Sequence, residues 1–296
     1  MNISITRMTR TALAIALMPM ISSIPAFAAD NAPAPDKSQY SLFNPVPDDQ
    51  MRSFSTDRPT KSDSPYTVDA GHFQYEADIV NWIYDRNNTS QTTVSNVLVG
   101  DPVLKAGLTN RTDLEVGLAP ININQSNNRP AGTQVTYAGF GDIYTRVKFN
   151  VLGNDGGDYA LAIVPYVKAP TANHHIGNTH WEGGGYVPFI AALPSDWTLN
   201  ITSEMDLLEN ASLDGTHTNF SNLINFSHPF FDPSLTGYVE FWSDVNNDVG
   251  AQTQYTGDLA LSWVVKDNLQ LDVGVNIGLN KASNDVQPYL GISQRF

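Results

Sequence analysis

Between Leu269 and Asn280 the chain alternates without a lapse. Leu269, Leu271, Val273, Val275, Ile277 and Leu279 are interleaved with Gln270, Asp272, Gly274, Asn276, Gly278 and Asn280. Successive side chains of a strand point to opposite faces, so this stretch has one oily face and one polar face. The last residues, Val286 to Phe296, follow a similar pattern, with Gln294 and Pro288 as exceptions among the apolar positions. A soluble sandwich also alternates, with its apolar face on a core and the other in water. Two features favour a membrane barrel instead: the strands are long where five or six residues are usual, and the polar face is charged.

The pattern recurs along the chain. Strand windows are expected at 71–84, 95–108, 112–123, 138–151, 158–169, 184–193, 197–208, 217–228, 235–245 and 254–266, followed by the two stretches above. The window at 184–193 is the least periodic. An even count of about 12 suits a single-chain bacterial barrel with both termini on one side. The connections are expected to sort by length. Thr109–Arg111, Leu152–Gly157, Pro194–Asp196, Pro229–Ser234 and Asp267 are short, whereas Asn124–Tyr137 and Pro170–Gly183 are long. Short periplasmic turns and longer extracellular loops are the outer-membrane layout. The fold expected is therefore all-β, a closed antiparallel transmembrane β-barrel over 70–296. In hydrocarbon every backbone N–H and C=O must find a partner within the protein, and a closed sheet has no edge. Tyr75, Tyr159, Trp197, Phe226, Phe241, Trp263 and Phe296, near strand ends, are expected to form interfacial girdles.

Residues 1–28 read as a cleaved secretory signal: Arg7 and Arg10 precede an apolar run from Thr11 to Ile24, and Ala26-Phe27-Ala28 offers the cleavage site. Residues 29–69, rich in Pro, Asp and Ser, read as a periplasmic segment. It is either a linker or a plug folded back into the barrel, with Arg58 paired to a lumenal carboxylate. No later window is apolar enough for a transmembrane helix. There is no cysteine, so thiolate and disulfide chemistry are excluded. A formal net charge of −14 argues against nucleic acid, which rewards basic patches.

Several stretches carry a resemblance. Thr56-Asp57-Arg58-Pro59 followed by Gly71-His72-Phe73-Gln74-Tyr75-Glu76 resembles the opening of an outer-membrane family labelled as transporters of the meta-pathway of phenol degradation. The likeness continues in Lys105–Gly117, in Gly139-Phe140-Gly141-Asp142-Ile143 and in Asp267–Asp272. It covers roughly 54–296, and its motifs are structural rather than catalytic. The resemblance implies an outer-membrane barrel that passes small, often aromatic, compounds. A C-terminal strand ending in Phe296 also resembles the signal read by the outer-membrane assembly machinery.

The polar face supplies the candidate solute path. Its carboxylates are Glu76, Asp101, Glu115, Asp142, Glu204, Asp206, Glu240, Asp258 and Asp272, joined by Asp78, Asp113 and Asp244. Its cations are Lys105, Arg146, Lys148, Lys168, Lys266 and Arg295, and Tyr144, Tyr166, Tyr238, Trp242 and Tyr289 add aromatic surface. Charges this dense are costly unless wet or paired. They either line a narrow aqueous path or brace a solid interior. His174, His175 and His180 lie together in a long loop, which offers no preformed metal geometry, so no metal or other cofactor is expected. No Gly-x-Ser-x-Gly elbow occurs, and His228 lacks a serine partner on its own face, so no catalytic site is expected. The partners expected are the lipid bilayer and a small-molecule solute. The alternative to a channel is a structural or adhesive barrel without conduction.

Overall fold

The computed structural model describes residues 36–173 and 175–296, so the signal-peptide region and His174 lie outside the described residues. One sheet accounts for nearly all the regular structure. Its strands are β1 (Phe73–Asp85), β2 (Thr92–Thr109), β3 (Thr112–Gly117), β4 (Ile121–Asn128), β5 (Thr133–Gly139), β6 (Ile143–Leu152) and β7 (Tyr159–Ala169). They continue as β8 (Glu182–Ala192), β9 (Thr198–Glu209), β10 (Thr216–Phe230), β11 (Asp232–Asn246), β12 (Gln254–Lys266), β13 (Leu269–Gly278) and β14 (Val286–Arg295). All pairings are antiparallel. β1 pairs with β14 on one side and β2 on the other, which closes the sheet into a barrel.

Fourteen segments make twelve staves. β3 and β4 both pair with β2, and they are one stave interrupted at 118–120. β5 and β6 are likewise one stave, interrupted at 140–142 beside the first break, where the Gly141 N–H donates to the Ala119 carbonyl at 2.8 Å. Pro120 has no N–H to give the ladder, which accounts for a break there. Beyond it β4 and β5 run on as an exposed hairpin turning at 129–132. This corrects the expected loop Asn124–Tyr137, most of which is strand. Its polar composition hid a ladder that is solvated on both faces. The window at 184–193 is β8, a regular strand whose alternation is masked by Gly183, Gly184 and Gly185.

The burial pattern is inside out relative to a soluble protein. On β13 the polar Gln270, Asp272 and Asn276 are buried, while Val273 and Ile277 are exposed. The same holds around the wall: Phe149, Ile163, Leu207, Val239, Leu259, Trp263 and Leu290 face outward. Six of the seven expected girdle aromatics are exposed, and Tyr75 is half-buried, stacked on Phe296. Apolar side chains on the outside and hydrogen-bonding ones on the inside make sense only in lipid. The aliphatic cluster inside is small, Ala162, Val164 and Tyr186, with Tyr166 against it.

Candidate functional site

Inner-face positions are set by the two-residue period. Glu76 and Asp78 project inward from β1, Lys105 from β2, Asp113 and Glu115 from β3, and Arg146, Lys148 and Asn150 from β6. Further round the inner wall stand Glu240 of β11, Asp258 of β12 and Asp272 of β13. Residues 52–69 run between these walls, held by their polar groups at almost every step.

Asp57 is the hub on one side. Its carboxylate accepts from Lys105 Nζ at 2.5 Å, Lys148 Nζ at 2.6 Å and Arg146 Nη2 at 3.1 Å, and from the Ser64 N–H at 3.0 Å. Burial works to raise this carboxyl, but Lys105, Lys148 and Arg146 hold it well below the ordinary carboxylate range. Arg146 also bonds Glu115 and, at 3.0 Å, Asp63. Lys105 is paired with Glu76, whose oxygens in turn accept the N–H groups of Asp57 and Arg58.

At Arg58 and Lys61 the charges are reversed. Arg58 donates to Asp272 through Nε at 3.1 Å and Nη2 at 2.7 Å, pairs with Asp78 at 2.6 Å, and lies 5.6 Å from the Tyr289 ring centre. A Cβ built on Gly291 would collide with this guanidinium, so the wall is smallest where Arg58 lies. Lys61 Nζ donates to Asp258 at 2.8 Å and Thr256 at 2.7 Å, 4.5 Å from the Trp242 ring centre. Glu240 accepts the N–H groups of Lys61 and Ser62. Further along, Asn150 donates to the Pro65 carbonyl, Asp113 accepts from the Val68 N–H, and Asn154 accepts from the Thr67 N–H. The ends of the segment meet near the turns at 110–111 and 153–158. There Arg52 bonds Asp155 and Asn110, and Arg295 donates to the Arg52 carbonyl at 2.9 Å. Polar space of about 240 Å³ remains beside the segment, lined among others by Thr56, Ser62, Asn200, Tyr238 and Gln270.

The remaining sequence candidates lie elsewhere on the inner wall or beyond it. Asp101 is paired with Asp78 across the β1–β2 ladder, and Glu204 and Asp206 share the inner face of β9, where Asp206 accepts from the Tyr166 hydroxyl at 2.7 Å. Tyr144 lies against Gly117, with the Arg146 guanidinium 5.7 Å from its ring centre. Lys168 pairs with Glu182 at 2.5 Å next to the 170–181 loop. Asp142 departs from the expectation. It sits in the break between β5 and β6, and its carboxylate accepts the N–H groups of Thr171, Ala172 and Asn178, so it organises that loop instead of lining the lumen. His180 bonds Glu209 at the surface. Asp57, Lys61 and Asp63 are wall partners that strand periodicity does not mark. The signal available was the run of alternating charge from Asp57 to Asp63 inside an otherwise linker-like stretch.

Residues 56–296 match the family described as "Putative MetA-pathway of phenol degradation". The chain belongs to this family. The match begins at Thr56, so it takes in the inner segment around Asp57 and Arg58 as well as the barrel. Among solved structures, an outer-membrane channel from Pseudomonas putida F1 is 13% identical, covering 81% of this chain and 99% of that one with a TM-score of 0.60. The transport unit of the autotransporter AIDA-I from Escherichia coli is 10% identical, covering 82% and 93%, with a TM-score of 0.52. At these identities the likeness is one of fold: the phenol-degradation family chain is a twelve-stave barrel of the outer-membrane type. No curated protein matches by sequence.

Proposed function

We propose that the protein is a passive outer-membrane channel for small solutes, aromatic ones among them, exported through the signal at 1–28. Residues 52–69, the part of the N-terminal segment that enters the barrel, serve as its plug. One observation carries the reading: the interior is filled by a separate stretch of chain held by ion pairs and hydrogen bonds. A barrel with a purely structural task would be served by an interior of packed aliphatic side chains, which cost nothing to desolvate. Polar contacts to a movable segment can be exchanged for water and solute, so the same wall serves a closed and an open lumen. The Pseudomonas putida relative is named a channel, and the family description names phenol degradation; both agree with this reading. Tyr144, Tyr166, Tyr238, Trp242 and Tyr289 supply the aromatic surface an aromatic solute would slide along.

The test is transport by purified protein. Planar bilayers should show discrete current steps, and proteoliposomes should swell in small neutral solutes faster than empty liposomes. Silent bilayers together with unchanged swelling remove the proposal.

A further inference from the structure

We propose that the acidic arc of the lumen wall is a binding site for small organic cations, alkylammonium and alkylguanidinium compounds, and that Arg58 and Lys61 fill it as built-in substitutes. This names a solute class for the channel proposed above and, as a statement about transport, rests on that reading.

The arc has the chemistry of a cation site before any ligand is considered. An ammonium at the Lys61 position meets a carboxylate, a hydroxyl and an indole face together: Asp258, Thr256 and Trp242. Carboxylate and aromatic face acting together are how proteins recognise alkylammonium groups. A guanidinium at the Arg58 position meets two carboxylates and a phenol ring, with two donors on Asp272 and one on Asp78. That is a planar fork on matched acceptors.

The occupants are replaceable in a way the wall is not. Among the described residues, the ion pairs of Asp78, Asp258 and Asp272 are with Arg58 and Lys61 alone. Lys105, Arg146 and Lys148, by contrast, already pair with Glu76 or Glu115 on neighbouring strands. When the segment leaves, the basic side keeps internal partners, whereas the acidic side faces the lumen uncompensated. Two further groups point to a ligand. One oxygen of Asp258 and the Tyr289 hydroxyl are buried without a hydrogen-bond partner, at residues only 3% and 7% exposed. Unmatched carboxylates in a narrow lumen concentrate cations, and a solute with both N–H donors and an apolar chain would satisfy carboxylate and ring at once. Such a solute binds the wall that the segment vacates, so its binding and release of the segment are linked by mass action.

The chain contains no cysteine, so Ser62→Cys places a single thiol on the segment, at a position only 3% exposed. Maleimide labelling of the full-length protein in liposomes then reports departure of the segment. With n-butylammonium the labelling rate should rise in proportion to concentration, by about tenfold at ten times the dissociation constant of the vacated site, and saturate once the segment is mostly released. Sodium chloride at equal ionic strength and butan-1-ol should leave it near the starting rate, and adding Asp258→Asn should abolish the saturable response. Equal rates in butylammonium and sodium, or a response that survives Asp258→Asn, overturn the proposal. If Ser62→Cys labels under no condition, Lys61→Ala decides. Its thermal unfolding midpoint should rise with butylammonium and not with butan-1-ol, and no rise overturns the site. Binding without bilayer current keeps the site and removes the channel; current without binding does the reverse.

Discussion

The arc built from β2, β3 and β6 and the arc built from β11, β12 and β13 grip the same segment with opposite charge. Lys105, Arg146 and Lys148 converge on one carboxylate, Asp57, while already sharing Glu76 and Glu115 among themselves. Asp258 and Asp272 each receive one cation from the segment, with Asp78 sharing Arg58. The first arc is a closed network in which one group holds three. The second is a set of separate seats. A network concentrates the consequence of losing its centre, because each buried charge left behind loses a partner. Separate seats can be vacated one at a time.

This contrast orders the effects of substitution. Asp57→Asn should act most strongly, weakening the closed state by about 3–5 kcal/mol, the range for breaking a buried ion pair. Single-channel records should show long openings that the parent lacks, and an unchanged record would mean that Asp57 is not the hub. Arg58→Ala should come next, at about 1.5–3 kcal/mol, because it removes charged hydrogen bonds to Asp272 and Asp78. Brief openings are expected, and Gly291→Val, which crowds the same guanidinium, should reproduce them with Arg58 intact. Lys61→Ala should be smallest of the three at about 1 kcal/mol, since the Lys61 side chain is 26% exposed. Its effect should appear in labelling of Ser62→Cys sooner than in current. If Lys61→Ala exceeds Asp57→Asn, the roles of the two arcs are reversed.

Mild acid should spare the hub. A carboxylate held below its ordinary value stabilises the folded arrangement above its unfolded pKa, and that stability is lost only as pH falls through the lowered value. Asp57 is such a group, on the segment rather than on a strand. Conductance measured from pH 7 to about pH 5 should therefore reveal no release at the hub, because a carboxyl of ordinary pKa stays ionised there. Opening within that window would place the sensitive group elsewhere.

The barrel is legible in the amino-acid order because the two environments of a membrane strand leave a two-residue mark. Leu269 to Leu279 had to face either lipid or a core, and their partners Gln270 and Asp272 had to face water or one another. The outer part of the hairpin of β4 and β5 leaves no such mark, because Asn124 to Asn128 are polar at every position and so show no two-residue alternation. Asp142 kept the expected parity but fell in the break between strands, where its carboxylate serves the backbone of a loop.

The inner segment marks the boundary between the two kinds of knowledge. Alternation, strand length and the charged polar face point by themselves to a membrane barrel, mark which face of each strand is oily, and put many charges on the other. Which charge meets which is decided only in three dimensions: Asp57 and Arg58 are neighbours in sequence, yet the first pairs with cations of β2 and β6 and the second with carboxylates of β1 and β13. Covalent order constrains a strand through its local period, whereas ion pairing depends on distances across the lumen. Those distances exist only once β1 has met β14 and the cylinder is closed.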